Sequence, residues 1–107
     1  MWLDYITERT DKKVKKIEDV AFCVYFPQGE YLYIEDIFVS KSHRRSGIGS
    51  KLADMVAEEA KADGYTKLLG SVDPRTKGAT ESMMSLFAYG FKLFAVENGL
   101  VYLTKEI

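Results

Sequence analysis

The sequence predicts an α+β domain in which a mixed, mostly antiparallel sheet has two helices packed on it. Segments rich in aromatic and β-branched residues recur, two other segments carry apolar residues at helical spacing, and short turns separate several neighbouring strands. The predicted order is strand, strand, strand, helix, strand, helix, strand, strand. With 107 residues the chain is long enough for one modest core, so we treat residues 1–107 as a single domain.

Three strands are predicted before the first helix. Residues 2–8 form a short strand, and the charged residues 9–16 after it are interpreted as a solvated loop. Residues 19–26 are rich in aromatic and β-branched side chains and are followed by a Pro-Gln-Gly sequence, which indicates a strand that ends in a turn. Residues 31–40 form the third strand, and the short turn makes the two strands a hairpin.

Helices and strands alternate in the rest of the chain. The first helix ends before Gly64, and its apolar residues repeat every three or four positions. These residues are Ile48, Leu52, Met55, Val56 and Ala60. Residues 67–72 are short and apolar, which predicts a buried strand, and residues 80–89 predict a second helix. Residues 91–96 and 100–104 flank an Asn-Gly pair, a strong signal of a β-hairpin.

Composition favours a cytoplasmic protein without a nucleic-acid or membrane partner. The 15 basic and 16 acidic residues nearly cancel, so no net positive field attracts a polyanion. Cys23, the single cysteine, cannot form an internal disulfide and lies in an apolar run, which predicts a small buried side chain in a reducing compartment. The N-terminus lacks a signal-peptide pattern, and no apolar run is long enough to span a bilayer.

The most informative segment joins the third strand to the first helix. It reads Arg-Arg-Ser-Gly-Ile-Gly-Ser over residues 44–50. Gly47 and Gly49 permit close approach of a ligand to the backbone and positive φ angles. The amides of the first helical turn have no partner within the helix, and with the helix dipole they form an anion site suited to phosphate. Arg44 and Arg45 add guanidinium groups that match phosphate oxygens.

Two other phosphate-binding motifs are excluded at this turn. A dinucleotide-binding fingerprint needs a third glycine where Leu52 stands, and a phosphate-loop nucleotidase needs a GxxxxGK[ST] pattern that the segment does not supply. A glycine-containing connection without a ligand is the alternative for the segment taken alone. The position of the turn between an apolar strand and an amphipathic helix favours the ligand site.

A family resemblance rests on this turn and its flanks. Arg44, Gly47 and Gly49 resemble the Q/R-x-x-G-x-G/A signature of the GNAT superfamily of acyl-CoA N-acyltransferases. The resemblance extends upstream through YIEDIFV at residues 33–39, resumes at a Gly-Phe pair at residues 90–91, and covers residues 19 to 107. YIEDIFV followed by RRSGIG is most similar to the spermidine/spermine N-acetyltransferases and their relatives, which suggests a subgroup without fixing a substrate.

The resemblance implies direct transfer of an acetyl group from acetyl-CoA to a primary amine, on a small molecule or on a peptide lysine or N-terminus. In this superfamily the coenzyme pyrophosphate lies on the turn, and the pantetheine arm runs beside the preceding strand like an added strand. An amide near Phe38 would polarise the thioester carbonyl. The residues thereby implied in coenzyme binding are Ile37, Phe38, Val39, Arg44, Arg45, Ser46, Gly47, Ile48, Gly49 and Ser50.

Glu35 stands where the polyamine acetyltransferases carry their general base. The reaction needs a base because alkyl amines are mostly protonated at neutral pH, and a carboxylate in a partly apolar cleft can accept that proton directly or through water. Strand alternation places the neighbouring Asp36 on the opposite face. The alternative for Glu35 is a solvated carboxylate on a strand.

The sequence departs from the family pattern near the second helix. Leu86 replaces the tyrosine that protonates the leaving thiolate in many members, and Tyr89 is expected to point elsewhere. The general acid is therefore unassigned, with water or the proton released from the amine as substitutes. The asparagine common near the start of this helix is missing as well.

In family members an N-terminal strand and two helices wall the acceptor pocket, and we expect most of that region to be lacking here. The acceptor site is then open to a large substrate, or a second subunit completes it. Trp2, Tyr5 and Phe22 are candidates for an exposed apolar sheet face, which favours a homodimer. His43 has no cysteine or acidic cluster at ligand spacing, so no metal site is expected.

Two functions stay open from the sequence. The first is an N-acetyltransferase. The second is an acyl-CoA-binding module whose catalytic apparatus has degenerated and which has a regulatory or assembly role. Leu86 and the short N-terminal region support the module, whereas Glu35 argues against it. A purely structural α+β domain would require the glycine turn to be a coincidence.

Overall fold

A computed structural model describes residues 12–44 and 46–107. In this part of the chain the strands are β1 (Lys13–Ile17), β2 (Ala21–Gln28), β3 (Tyr31–Val39), β4 (Lys67–Val72), β5 (Lys92–Glu97) and β6 (Leu100–Glu106). The helices are α1 (Ile48–Ala62) and α2 (Ala79–Ala88), and a short 3-10 helix, Lys41–His43, lies between β3 and α1.

The strands form one sheet in the order β1-β2-β3-β4-β6-β5. β3 and β4 are parallel, because the chain crosses over through α1 between them, and the other neighbouring pairs are antiparallel. The predicted α+β class with a mixed, mostly antiparallel sheet is confirmed.

The strand β1 shows that the solvated loop predicted over residues 9–16 is wrong at its C-terminal end. Lys13–Ile17 pairs along its length with β2, from Lys13 opposite Tyr25 to Ile17 opposite Ala21. Lysines are common on edge strands, because their charge discourages pairing with another chain. Among the described strands β1 lies at one edge of the sheet, and the lysines of this run are consistent with that position. The strand predicted over residues 2–8 lies outside the described residues.

The remaining predicted strands and the second helix agree with the structure to within two residues at each end. β2 continues through Pro27, which pairs with Leu32, so the hairpin turn is tighter than the sequence suggested. Asn98 and Gly99 have φ angles of 54° and 79°, the left-handed pair that a two-residue hairpin turn requires. The predicted Asn-Gly hairpin is confirmed.

Both helices lie on one face of the sheet. The register aligns Tyr25 with Ile34 and Ile34 with Gly70, so these residues point to the same face. On that face the Tyr25 hydroxyl is hydrogen-bonded to Glu59 of α1. A Cβ built on Gly70 would lie 3.7 Å from Leu86 of α2. We call the face of Tyr25, Ile34 and Gly70 the helix face, and the opposite one the back face.

The core lies between the helix face and α1. Its fully buried side chains come from both layers and include Cys23, Leu52, Val56, Ala60, Leu68 and Leu103. Burial of each Leu or Val contributes about 1.5–3 kcal/mol relative to exposure. The predicted apolar stripe of α1 is thus confirmed, with Ile48 and Met55 partly buried at its margin. Within the described residues, none of the helices combines the length and the apolar character needed to cross a membrane.

Candidate active site

A cleft opens where β3 and β4 separate. The parallel pairing joins Leu32, Tyr33 and Ile34 to Leu68, Leu69 and Gly70, and no described pairing continues beyond it. A cleft of about 990 Å³ lies past this point, between the ends of the two strands, the start of α1 and α2. Among the described residues, the edge of β3 that faces β4 therefore carries backbone groups without a strand partner from residue 35 onward.

The cleft is lined by four parts of the chain. β3 contributes Ile34, Glu35, Asp36, Ile37, Phe38 and Val39, and β4 contributes Gly70, Ser71 and Val72. The connection and the first turn of α1 contribute Lys41, His43, Arg44, Gly47, Gly49 and Ser50. The fourth part is α2 with the residues before and after it, namely Lys77, Gly78, Glu81, Ser82, Met84, Ser85, Leu86, Ala88 and Tyr89.

The N-terminus of α1 opens into this cleft. Gly47 precedes the helix with a φ of 83°, a left-handed conformation that favours glycine. The first helical hydrogen bond runs from the amide of Lys51 to the carbonyl of Gly47 at 3.0 Å, so the amides of residues 48–50 precede the helical ladder. Within the described residues no side chain caps this end. The helix therefore presents its amides and its positive dipole end to the cleft.

Gly49 has a different role from Gly47. It lies inside the first turn of α1 without a positive φ, and the ring of Tyr89 packs against it. A Cβ on Gly49 would collide with the Tyr89 hydroxyl and would lie 2.7 Å from Cζ of that ring. The expectation that both glycines provide positive φ is therefore wrong for Gly49, where the absent side chain makes room for Tyr89.

Arg44 connects the turn to the end of β3. Its Nε donates a hydrogen bond to the carbonyl of Val39 at 3.0 Å, and its guanidinium carbon lies 5.9 Å from the centroid of the Phe38 ring. The Ser46 hydroxyl donates to the carbonyl of His43. These contacts fix the connection between strand and helix. Arg45 lies outside the described residues.

A β-bulge places two carboxyl groups at the cleft. Asp36 is opposite Val24 and Ile34 is opposite Tyr25, which leaves Glu35 without a partner in the register. Glu35 and Asp36 both border the cleft. The bulge inserts one extra residue into β3, so regular alternation of side chains is interrupted at this point.

The two carboxyl groups have different surroundings. Partial burial, with a smaller contribution from the charge of Glu35, raises the pKa of Asp36 above its usual range. Glu35 Oε1 lies 2.7 Å from Nζ of Lys12, and both side chains are partly exposed. The same Lys12 ammonium lies 5.7 Å from the centroid of the Phe26 ring on the back face.

Leu86 borders the cleft together with the hydroxyl-bearing Ser71. Tyr33 and Ser71 are hydrogen-bonded to each other across the point where β3 and β4 separate. Tyr89 borders the cleft as well, which corrects the expectation that it points away. Burial raises the pKa of Tyr89, and a hydrogen bond with Ser85 opposes part of that rise. Leu86 itself is apolar and packs at Gly70.

The structure brings most of the sequence-predicted coenzyme residues to one cleft. Those that border it are Ile37, Phe38, Val39, Arg44, Gly47, Gly49 and Ser50. Ile48 packs against the core at its margin. His43 Nδ1 lies 2.9 Å from Oγ of Ser40, and among the described residues no group of three or more histidine, cysteine or acidic side chains could hold a metal ion.

Sequence reasoning missed three contacts at this site: Lys12 with Glu35, Tyr33 with Ser71, and Tyr89 with Gly49. Each joins residues far apart in the chain. Tyr33 and Glu35 alternate along one predicted strand, a pattern that could have marked Tyr33 as a neighbour of the site. Nothing in the local pattern points to Lys12.

The chain is similar to known proteins both in sequence pattern and in fold. A family model described as Acetyltransferase (GNAT) family matches residues 14–91. The fold is similar to that of an IAA acetyltransferase from Bacillus cereus, with a TM-score of 0.74 and 20% identity over 97% of this chain and 83% of that one. No match was found among curated protein sequences.

Two further solved structures with this fold contain coenzyme. A GNAT family acetyltransferase from Elizabethkingia anophelis with acetyl-CoA bound has a TM-score of 0.73 and 22% identity over 97% of this chain and 82% of that one. The PaiA N-acetyltransferase from Thermoplasma acidophilum in complex with coenzyme A has a TM-score of 0.78 and 12% identity over 97% of this chain and 66% of that one.

Proposed function

This chain belongs to the acetyltransferase (GNAT) family, and from that premise we propose that it transfers the acetyl group of acetyl-CoA directly to a primary amine. The observation that carries the proposal is the start of α1, which no described side chain caps and which opens into the cleft where β3 and β4 separate. Acetyl-CoA, in which the pantetheine arm joins a diphosphate to the acetyl thioester, fits that arrangement.

The diphosphate is proposed to lie on the amides of residues 45–50. The open space beside Gly47, where a Cβ would meet nothing within 4 Å, supports close approach of a phosphate oxygen. Arg44 borders the same part of the cleft and supplies positive charge. Arg45 is included on the strength of the sequence motif alone.

The pantetheine arm is proposed to extend along β3. Ile37, Phe38 and Val39 lie on the edge that β4 leaves unpaired within the described chain, and an extended amide-containing chain can add to such an edge by backbone hydrogen bonds. The thioester would then lie near the bulge, where an amide close to Phe38 can stabilise the negative charge that develops on its oxygen.

Glu35 is proposed as the general base. The acceptor ammonium loses a proton to the carboxylate, the amine nitrogen attacks the thioester carbonyl, and the C–S bond breaks as the amide forms. Leu86 offers no proton, so the departing thiolate takes one from water or from the attacking nitrogen. The carboxyl groups of Glu35 and Asp36 at the mouth support an acceptor that carries positive charge. A small-molecule amine and a peptide lysine or N-terminus both fit this description.

Two further properties are proposed from the sequence. A homodimer is expected. Of the three residues proposed for an exposed apolar sheet face, only Phe22 lies within the described residues, and its ring stacks on that of Phe38 at a centroid distance of 5.6 Å. A cytoplasmic location is expected from the lone Cys23, a free thiol that is fully buried.

The proposal is tested by coenzyme binding and turnover together. Titration calorimetry with acetyl-CoA measures binding, and release of free thiol in the presence of polyamines, amino acids or lysine peptides measures transfer. Gly47→Glu is expected to abolish binding, because a carboxylate would meet the diphosphate. Gly64→Glu is the matched control, since Gly64 has a similar φ of 89° and open space but lies at the other end of α1.

The outcomes separate the two functions. Binding with transfer to at least one amine supports the acetyltransferase. Binding without transfer to any amine favours a degenerate acyl-CoA-binding module, a reading that the apolar Leu86 already suggests. Equal loss of acetyl-CoA binding in Gly47→Glu and Gly64→Glu would show that the turn at Gly47 is not part of the coenzyme site.

A further inference from the structure

We propose that Lys12 is an acceptor of the chain's own acetyl-transfer site, so that the protein acetylates itself at this residue. This inference rests on the proposed function. It is supported by a contact in the structure. The ammonium of Lys12 is bound by the carboxylate assigned as general base, with 2.7 Å between Nζ of Lys12 and Oε1 of Glu35.

The position of Lys12 is specific among the lysines around it. Lys13 and Lys15 are paired with Tyr25 and Cys23, which places them on the helix face. Nζ of Lys15 lies 3.3 Å from Glu59 there. Lys12 lies on the back face, where its ammonium contacts both the Phe26 ring and Glu35.

Lys16 provides the contrast on the same face. It is opposite Phe22 in the register and lies four residues, or two strand repeats, along the chain from Lys12. It is exposed. If exposure alone decided which lysine reacts with acetyl-CoA, the exposed Lys16 would react at least as readily as the partly buried Lys12.

The chemistry is the same as for an external amine. The Lys12 ammonium gives one proton to Glu35, the neutral nitrogen attacks the thioester carbonyl, and a C–N bond forms as the C–S bond breaks. The thiolate of coenzyme A takes the second proton from nitrogen, and Glu35 releases the first one to water. The products are N-acetyl-Lys12 and free coenzyme A.

Acetylation would also change the site. The neutral amide of N-acetyl-lysine has no charge to pair with a carboxylate. Glu35 would then be available to an external ammonium without competition from Lys12. The modification is thus expected to make the transfer to external amines faster at low acceptor concentration.

The test uses the purified chain with acetyl-CoA and no external amine, followed by peptide mass spectrometry. We expect one acetyl group, at Lys12, formed with a rate constant that does not depend on protein concentration. Glu35→Gln is expected to slow this reaction about 100-fold. Lys16→Arg, the matched control on the same strand and face, is expected to leave it unchanged.

Three results would overturn the inference. They are equal acetylation of Lys12 and Lys16, a rate proportional to protein concentration, and full acetylation of Lys12 in Gly47→Glu. Transfer to an external amine is measured in the same preparation. If that transfer occurs and Lys12 stays unmodified, the inference fails alone, whereas loss of both reactions removes the proposed function.

A separate observation concerns the β5 end of the sheet, and from it we infer that a second copy of the chain pairs with β5. Within the described residues β5 pairs only with β6. Leu93 and Val96 on this strand are 61% and 68% exposed. A free strand edge with exposed apolar side chains is a surface that natural proteins normally cover.

The charge pattern of β5 indicates that its partner is a second copy of the same strand. β5 reads Lys-Leu-Phe-Ala-Val-Glu. In an antiparallel pair of two copies about a two-fold axis, Lys92 of each copy lies opposite Glu97 of the other, and Leu93 lies opposite Val96. The strand is therefore complementary to itself in both charge and apolar surface.

The bulge in β5 makes this register geometrically possible. Leu93 is opposite Leu103 and Val96 is opposite Val101, with one extra residue between them. Leu93 and Val96 consequently share one face, although an odd spacing would place them on opposite faces of a regular strand. Cross-strand partners must share a face, and here they do.

The test is sedimentation velocity on charge variants. Lys92→Glu and Glu97→Lys are each expected to be monomeric. In each variant residues 92 and 97 carry the same charge, so like charges would face each other at two positions in the dimer. The exchanged double variant is expected to be dimeric, and so is an equal mixture of the two single variants. Lys16→Glu, a charge reversal at the other end of the sheet, is the control and stays dimeric. A monomeric wild type, or single variants that remain dimers, would overturn the inference.

Discussion

The aromatic ring of Tyr89 fills the space beside Gly49 that any side chain at this position would need. A Cβ there would be only 2.7 Å from Cζ of the ring. Gly49 is in the first turn of α1 and Tyr89 follows α2, so this contact joins the two helices that border the cleft. The first turn of the proposed coenzyme site therefore depends on a residue from the far end of the chain.

Gly49→Ala is expected to destabilise the fold by about 1–3 kcal/mol, because the ring must move to admit a methyl group. The same displacement should weaken acetyl-CoA binding. Tyr89→Phe removes the atom that collides most and is expected to recover part of the loss in the double variant. Urea unfolding of the four proteins forms a double-mutant cycle. Strictly additive changes would show that the two residues do not interact.

Arg44→Gln is expected to raise the Kd for acetyl-CoA about tenfold, the loss of one charge-assisted contact to a phosphate. The salt dependence of binding should fall as well, since one fewer cation faces the diphosphate. Calorimetry at several salt concentrations measures both. Arg75→Gln is the control, because Arg75 is highly exposed and paired with Asp73. Binding and salt dependence that match wild type in Arg44→Gln would contradict the assignment.

Glu35→Gln is expected to lower the transfer rate about 100-fold while the Kd for acetyl-CoA stays unchanged. The deficit should be largest at low pH, where nearly all of the acceptor is protonated and must lose a proton to a base. It should shrink as pH rises towards the pKa of the acceptor amine. Initial rates across a pH series, with a saturating amine, provide the measurement. A deficit that is constant with pH would point to a structural role for Glu35.

Asp36→Asn is expected to stabilise the fold at neutral pH. Burial raises the pKa of Asp36 in the folded chain above its usual value of 3.8, so the folded state binds the proton more tightly than the unfolded state. Stability from this group is fully present below about pH 3.8 and is lost as pH rises through the folded pKa. The Tm gain of the variant should therefore be present at pH 7 and vanish below about pH 3.8. A Tm gain that persists unchanged in acid would contradict this account.

The thiol of Cys23 is expected to be unreactive in the folded protein. Desolvation raises its pKa to about 12, and the side chain is fully buried, so the thiolate is scarce and shielded at pH 8. A chromogenic disulfide reagent should detect one thiol only after denaturation. This matters for the transfer assay, because released coenzyme A is then the only thiol that reacts. Rapid labelling of native protein would show that β2 opens readily.

Local sequence patterns determined much of the architecture. The apolar spacing of α1, the Asn-Gly turn and the buried strand β4 follow from short-range preferences, so their bounds are close to those predicted. The glycine turn before α1 was recognised for the same reason, since an uncapped helix start after a strand is a local feature. The family signature depends on the same short segments.

Other features were decided only by the tertiary structure. β1 reads as a charged loop because nothing in a run of lysines reveals that it pairs with β2. The bulge at Glu35 depends on the register with β2, and the packing of the strands and helices forms the cleft that Glu35 and Asp36 border. Strand register, helix docking and the contacts of Lys12 and Tyr89 all join residues distant in the chain. Their energy comes from packing and pairing across the fold, which no local propensity encodes.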